Sequence, residues 1–150
     1  ILISGDINSG KSTLLDVLIK DCLSDRRCYL LENSGLYSDN SEMLVKFDVS
    51  KCDYETLLAI VLKASPEYII SDLNFPDERF LISTMRANSL ECAFRLLVAQ
   101  NGDMSEKYAK LKVLNDYDYI VHLDNHKISA IAELKPAKTM ALSVNVIFER

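Results

Sequence analysis

Apolar residues along this chain fall into short runs of two kinds, and their alternation predicts the architecture. Ile1-Leu2-Ile3, Cys28-Tyr29-Leu30-Leu31, Tyr68-Ile69-Ile70 and Tyr119-Ile120-Val121-His122-Leu123 are brief stretches closed by polar or turn residues, the pattern of strands buried on both faces. Met43–Asp48 reads as a further strand, at an edge because Lys46 interrupts it, and Phe80–Thr84 as another. The other kind of run is helical. Leu14, Leu15, Val17, Leu18 and Cys22 recur at helical spacing from Lys11 to Leu23. Leu57, Leu58, Ile60, Val61 and Leu62 predict a second helix, with Asp53 or Cys52 near its N-cap and its end before Pro66. Leu90, Ala93, Phe94, Leu97 and Val98 form one face of a third, running from Leu90 to Ala99, capped by Asn88 or Ser89 and broken at Gly102. Met104–Leu114 predicts a fourth. Ser24–Arg27, Asn33–Glu42 and Asp124–Lys127 read as turns or loops, and Phe75–Glu78 as a turn or a short helix. Ile128–Leu134 and Met140–Phe148 alternate as two terminal antiparallel strands. Strands alternating with helices predict a three-layer α/β domain: a mostly parallel twisted sheet, helices on both faces, antiparallel strands at its C-terminal end.

Composition narrows the class without changing that picture. At 150 residues the chain fits one domain, large enough to bury about 70% of the surface its unfolded form exposes. Apolar residues make up 49%, and only three Pro and four Gly leave little room for disordered linkers. A net charge of −5 with both signs interspersed lacks the footprint of a duplex-binding protein, so no direct nucleic-acid partner is expected. Cys22, Cys28, Cys52 and Cys92 contain no C-x-x-C pair, which argues against zinc and disulfides and for buried or partly buried thiols in a reducing cytosol. No apolar run reaches the ~18 residues of a membrane span, and no signal-peptide pattern is present. The chain opens without Met on the strand that feeds its first motif, and so reads as a C-terminal piece of a longer protein.

That motif is Gly5-Asp6-Ile7-Asn8-Ser9-Gly10-Lys11-Ser12, a G-x-x-x-x-G-K-S loop between a strand and a helix. Backbone N–H groups of such a loop converge on phosphate, and the positive end of the following helix points at the same anion. Gly5 and Gly10 let the backbone curl and approach closely. Asn8, Ser9, Gly10 and Thr13 belong to the same anion cradle. Lys11 would reach the β- and γ-phosphates as a mobile charge, and the Ser12 hydroxyl would enter a Mg²⁺ shell otherwise made of phosphate oxygens and water. Asp6, an acid inside an anion-binding loop, is expected to point outward.

Two strand ends carry acids. Glu32 closes the Cys28–Leu31 run, at the edge where ligands bind in an open parallel sheet. Asp72 closes Tyr68-Ile69-Ile70-Ser71, where such enzymes hold Mg²⁺ or orient water. A turn-forming or capping role is the alternative for Asp72. His122, inside an apolar strand, and His126, in a turn, have no second ligand at metal spacing and read as core and surface histidines. Lys107, Lys110 and Lys112 read as an exposed helix face.

Four landmarks now stand in order: Gly5–Ser12, Leu31-Glu32-Asn33, Ile69–Asn74, and Ile82-Ser83-Thr84-Met85-Arg86-Ala87-Asn88-Ser89. Their succession resembles the secretion ATPase family that powers type II and type IV secretion, conjugation and type IV pili. That family carries a Walker A loop, a T-I-E-D acidic box, a Walker B segment ending in G-E-x-R, and an S-T-x-H-A-N-S histidine box followed by R-L. Ser83-Thr84, Ala87-Asn88-Ser89 and Arg95-Leu96 match the last of these; Lys63–Glu67 resembles the L-R-x-x-P-D element. The resemblance implies a RecA-like motor domain, normally preceded by an N-terminal domain, assembled as a hexameric homo-oligomeric ring with ATP between subunits. It implies inner-membrane secretion or pilus components as partners, and a place in the cytoplasm or on the inner face of the cell membrane. On this reading Glu32 polarises the attacking water, Asp72 takes the Walker B acid position with Ser12 at the metal, and Arg86 senses the γ-phosphate from the second histidine position.

The departures are specific. Asn33 stands for Asp, Asp72 for Glu, Asn74 for Arg, Lys63 for Arg and Arg86 for His. An Asp reaches about one methylene less far than a Glu, and misplacement on the ångström scale costs ~10²-fold in rate. The segment between Asp72 and Thr84 is also too short for the family's usual helix and T-G-H element. A degenerate nucleotide-binding assembly subunit without efficient hydrolysis is therefore the main alternative. A small-molecule kinase would need a lid of clustered arginines, whereas Arg79, Arg86 and Arg95 are scattered. A GTPase would carry N-K-x-D, which Asp124-Asn125-His126-Lys127 does not supply.

Overall fold

A computed structural model of the chain describes residues 1–33, 35, 37, 42–74, 76–77, 79–135 and 143–149. The described residues form eight strands, mostly parallel, and four α-helices. They divide into two compact units, Ser12–Thr84 and a second built from Ile1–Lys11 with Met85–Arg150.

The Ser12–Thr84 unit opens with α1 (Lys11–Cys22), whose first residue belongs to the other unit. It then runs β2 (Cys28–Glu32), β3 (Leu44–Asp48), α2 (Tyr54–Lys63), β4 (Tyr68–Ser71) and the start of β5 (Ile82–Arg86). Its strands lie in the order β3-β2-β4-β5, all parallel, with Leu30 opposite both Lys46 and Ile70. Parallel strands need covered faces, and the alternation along β2 shows how they are filled. Tyr29 and Leu31 join Ile69 and Phe80 against Leu57, Leu58 and Val61 of α2. Leu30 and Ile70 point to the opposite face and are fully buried, as is Leu15 of α1. Asp53 caps α2 by accepting from Thr56 N at 2.9 Å. β3 is the edge strand, as Lys46 indicates.

The second unit holds β1 (Leu2–Gly5), α3 (Leu90–Ala99), α4 (Glu106–Asp116), β6 (Tyr119–Asp124), β7 (Lys127–Lys135) and β8 (Ser143–Glu149). β1 pairs parallel with β6, and β6-β7-β8 continue antiparallel. Leu2 and Ile120 pack with Ala93 and Leu97 of α3 and with Val113 and Leu114 of α4. Ser89 caps α3, its side chain accepting from Cys92 N at 3.0 Å.

Four expectations need correction or restriction. β5 starts at Ile82 and runs to Arg86, two residues later than Phe80–Thr84. Phe80 is buried against α2, and its N–H closes a turn onto Asp77 O, so its apolarity serves the core from outside the strand. α4 starts at Glu106 because Met104 N bonds back to Asn101 O in a turn and Ser105 takes the extended backbone of a cap position. Cys22 and Cys52 are exposed, one at the last residue of α1 and one just past a short 3-10 turn (Val49–Lys51), whereas Cys28 is buried and Cys92 partly so. Most of the 33–42 loop, Phe75, Glu78 and residues 140–142 lie outside the described residues; Pro76 and Asp77 are in no helix.

Candidate functional site

In the second unit β1 delivers the chain into the G-x-x-x-x-G-K-S loop at Gly5. A Cβ there would lie 2.7 Å from Leu123 O and collide with the Ser9 hydroxyl, so the close approach requires glycine. Gly10 has φ +98°, and Asn8 sits in the left-handed region at φ +59°, which a short amide side chain tolerates. Lys11 is buried, its Nζ donating to Gly5 O at 3.0 Å and Asp6 O at 2.7 Å. The ammonium is thus folded against the backbone of its own loop.

Asp6 does point outward. Its Oδ1 accepts from Ile7 N at 2.8 Å and from Arg86 Nε at 3.0 Å. These hold the carboxyl below its ordinary pKa, the Ile7 N–H contributing most and the Arg86 hydrogen bond next. Arg86, at the end of β5, is therefore spoken for by the loop's exposed acid.

His122 is a core histidine, as its strand pattern indicates. Its Nδ1 lies 3.0 Å from Ser4 Oγ, and the ring is hydrogen-bonded to the backbone of Asn88. Burial is the main cause that lowers its pKa. His126 is more than a surface residue. Asn125 and His126 take positive φ at the β6–β7 turn, and the His126 N–H donates to Ser9 O at 3.1 Å, bracing the Gly5–Ser12 loop. Its sequence, without glycine at either position, gave no sign of this contact.

The Ser12–Thr84 unit holds the acids. Asp72 follows β4 directly and its N–H bonds Leu31 O at 2.9 Å, which fixes the carboxylate at the strand's C-terminal end. Three hydroxyls converge on it. Ser12 Oγ and Tyr37 Oη each donate to Oδ2 at 2.6 Å, and Thr84 Oγ1 donates to Oδ1 at 2.8 Å. Thr84 Oγ1 also accepts from Asn74 N at 3.3 Å. Asp72 is therefore a hub of hydrogen bonds within this unit. Tyr37, only 3% exposed, was not identified from the sequence: with Leu36 it forms an isolated apolar pair in an otherwise polar loop, too short to show a strand or helix period. Its pKa is raised, first by burial and then by the Asp72 carboxylate; the Glu32 charge adds in the same direction. Lys46 Nζ donates to Tyr37 O at 2.6 Å, so the cation that interrupts the edge strand has a structural task. Glu32 is 4% exposed at the end of β2, and Thr13 is exposed on α1.

Hard oxygen donors suit Mg²⁺, and a hydroxyl with a carboxylate 2.6 Å away is a donor set of that kind. Among the described residues no group of three or more His, Cys, Asp or Glu side chains could hold a metal by itself. Ser12 and Asp72 fit an ion held jointly with phosphate oxygens and water. No described helix is long and apolar enough to cross a membrane.

No protein-family model matches the chain, and no curated protein matches it. Solved structures do. The VirB11 ATPase of the Brucella suis type IV secretion system, in complex with sulphate, superposes with a TM-score of 0.75 at 19% identity, covering 88% of this chain and 47% of that one. The pilus retraction motor PilT with bound ADP gives 0.69 at 14%, covering 99% and 47%. The Legionella pneumophila ATPase DotB gives 0.61 at 16%, covering 81% and 39%. The chain spans less than half the length of each. At these identities the likeness is one of fold, and the fold is the RecA-like one of secretion and pilus ATPases that the motif order implied.

Proposed function

We propose that this chain is a single nucleotide-binding motor domain of a secretion, conjugation or type IV pilus machine, which binds ATP with Mg²⁺ and hydrolyses its terminal phosphoanhydride. The observation that carries the reading is the 2.6 Å bond from the loop hydroxyl, Ser12, to the strand-end acid, Asp72. These two motifs lie 60 residues apart in sequence, and a chance glycine turn would have no reason to bring them together. Similar folds have been solved with sulphate and with ADP, anions of the class this loop is read to bind.

In this reading the N–H groups of Asn8, Ser9, Gly10 and Lys11, with Ser12 and Thr13 at the start of α1, cradle the phosphates, and Lys11 exchanges its loop carbonyls for phosphate oxygens. Ser12 and Asp72 would hold magnesium, which supplies charge neutralisation on the phosphates. Glu32, buried in a low-dielectric strand end, orients a water for attack on the γ-phosphorus and takes its proton as the bond to the β-phosphate oxygen breaks. Arg86 reports on the γ-phosphate. The working form is a hexameric ring on the cytoplasmic side of the machine's inner-membrane components.

The second reading, a nucleotide-gated assembly subunit with little turnover, draws support from the Arg86–Asp6 pair, which already occupies the sensor side chain. Binding of a fluorescent ATP analogue and phosphate release, measured on the full-length protein with Lys11→Ala and Glu32→Gln, separates the two. A motor loses turnover in both variants and keeps binding in Glu32→Gln. Tight binding with wild-type turnover no higher than Lys11→Ala selects the assembly subunit, and no binding at all refutes both.

A further inference from the structure

Asp72 takes two hydroxyl donors on one oxygen. A carboxylate oxygen has two in-plane lone pairs, and on Oδ2 Ser12 and Tyr37 use both, each at 2.6 Å. Ser12 is the residue whose oxygen the loop chemistry assigns to magnesium, and an acid beside that oxygen normally receives a proton of metal-bound water. With Tyr37 in place, Oδ2, the oxygen that Ser12 meets, has no lone pair left for such a water.

We propose that the Tyr37 phenol occupies, on Asp72 Oδ2, the donor position that a magnesium-bound water takes in the nucleotide-loaded protein, so that magnesium loading and the Tyr37–Asp72 bond exclude one another. This rests on the nucleotide reading above. Tyr37 is well placed for the role. Its side chain is buried, its carbonyl is held by Lys46 at 2.6 Å, and its hydroxyl donates to Oδ2 at 2.6 Å. The consequence is discrimination: a magnesium nucleotide must break a charge-assisted hydrogen bond on binding, and a metal-free nucleotide need not.

The test uses the full-length protein, with a fluorescent ADP analogue titrated in excess Mg²⁺ and again in EDTA. Tyr37→Phe keeps the buried ring and removes the hydroxyl. It is expected to tighten binding in Mg²⁺ about tenfold and leave the EDTA affinity within about twofold, the scale of one charge-assisted bond. Thr84→Val removes the donor on Oδ1 without freeing Oδ2, and is expected not to tighten it. As an independent readout, adding Mg²⁺ to the ADP-loaded wild type should shift one ¹³C-tyrosine resonance, identified by its absence from Tyr37→Phe. Unchanged or weaker binding of the variant in Mg²⁺, with wild-type nucleotide binding intact, overturns the inference alone. Absence of nucleotide binding by the wild type under both conditions overturns the motor reading and the inference with it.

Discussion

Replacing Asp72 by Ala removes one acceptor group from three hydroxyls at once. Thr84 is fully buried and Tyr37 nearly so, while Ser12 is half-buried and can turn to water. A buried donor left without an acceptor costs about 1–3 kcal/mol, so the two buried hydroxyls set a loss of about 2–6 kcal/mol. Relief from holding a partly buried carboxylate offsets some of it, and a net of about 2–4 kcal/mol is expected. Asp72→Asn is a gentler change. Its amide oxygen in place of Oδ2 keeps Ser12 and Tyr37, and its NH₂ in place of Oδ1 donates to Thr84 Oγ1, which already accepts from Asn74 N–H and has a second lone pair. The Thr84 proton loses its acceptor while its oxygen gains a donor, so the charge assistance and part of one donor bond are lost, about 1–2 kcal/mol. Urea unfolding without nucleotide, followed by two coincident probes, should therefore rank wild type above Asn and Asn clearly above Ala. At about 3 °C per kcal/mol, Ala should melt about 6–12 °C below wild type and Asn about 3–6 °C below. An Ala variant within about 0.5 kcal/mol of the Asn variant would show that the hydroxyls find other acceptors, and would refute Asp72 as the hub of this unit.

Ser89→Ala removes the oxygen that caps α3 on Cys92 N–H and should cost about 1 kcal/mol in urea unfolding, with Ser89→Asn restoring most of it. His122 gives a pH dependence with a defined sign. Its folded pKa is lowered by burial, so between that value and the unfolded one, about 6.5, the unfolded chain binds more protons and stability falls as the pH drops. The urea midpoint should fall between about pH 7.5 and pH 5, and the fall should be smaller in His122→Gln; an identical fall in both would exclude this residue as its source.

The element types and most of their limits were legible in the sequence because they depend on what lies within about a dozen residues. Periods of two and 3.6 distinguish strands from helices, Asp53 and Ser89 cap helices whose N–H groups are three residues away, and the tight Gly5–Gly10 loop follows from glycine spacing. The misplaced strand start at Phe80 belongs to the same physics: a short apolar run is compatible with a strand or with a core plug, and only contact with α2 distinguishes them. Exposure of Cys22 and Cys52 likewise depended on which helix end and which turn faced solvent.

The candidate site divides along that line. Gly5, Lys11, Ser12, Glu32 and Asp72 declared themselves by motif or by position at a strand end, since backbone geometry there follows from local sequence. Tyr37 and Thr84 on Asp72, the His126 N–H on Ser9, and Arg86 on Asp6 did not. A hydrogen bond requires two atoms to meet within about 3 Å, and when the partners are separated by 35 residues, as in Tyr37–Asp72, or by 80, as in Asp6–Arg86, only the order and register of strands between them determine whether they meet. The sequence by itself determined a G-x-x-x-x-G-K-S loop, two strand-end acids and the alternation of strands and helices; the tertiary structure decided which hydroxyls donate to Asp72 and which acid holds Arg86, because those contacts are set by chain topology rather than by any local pattern.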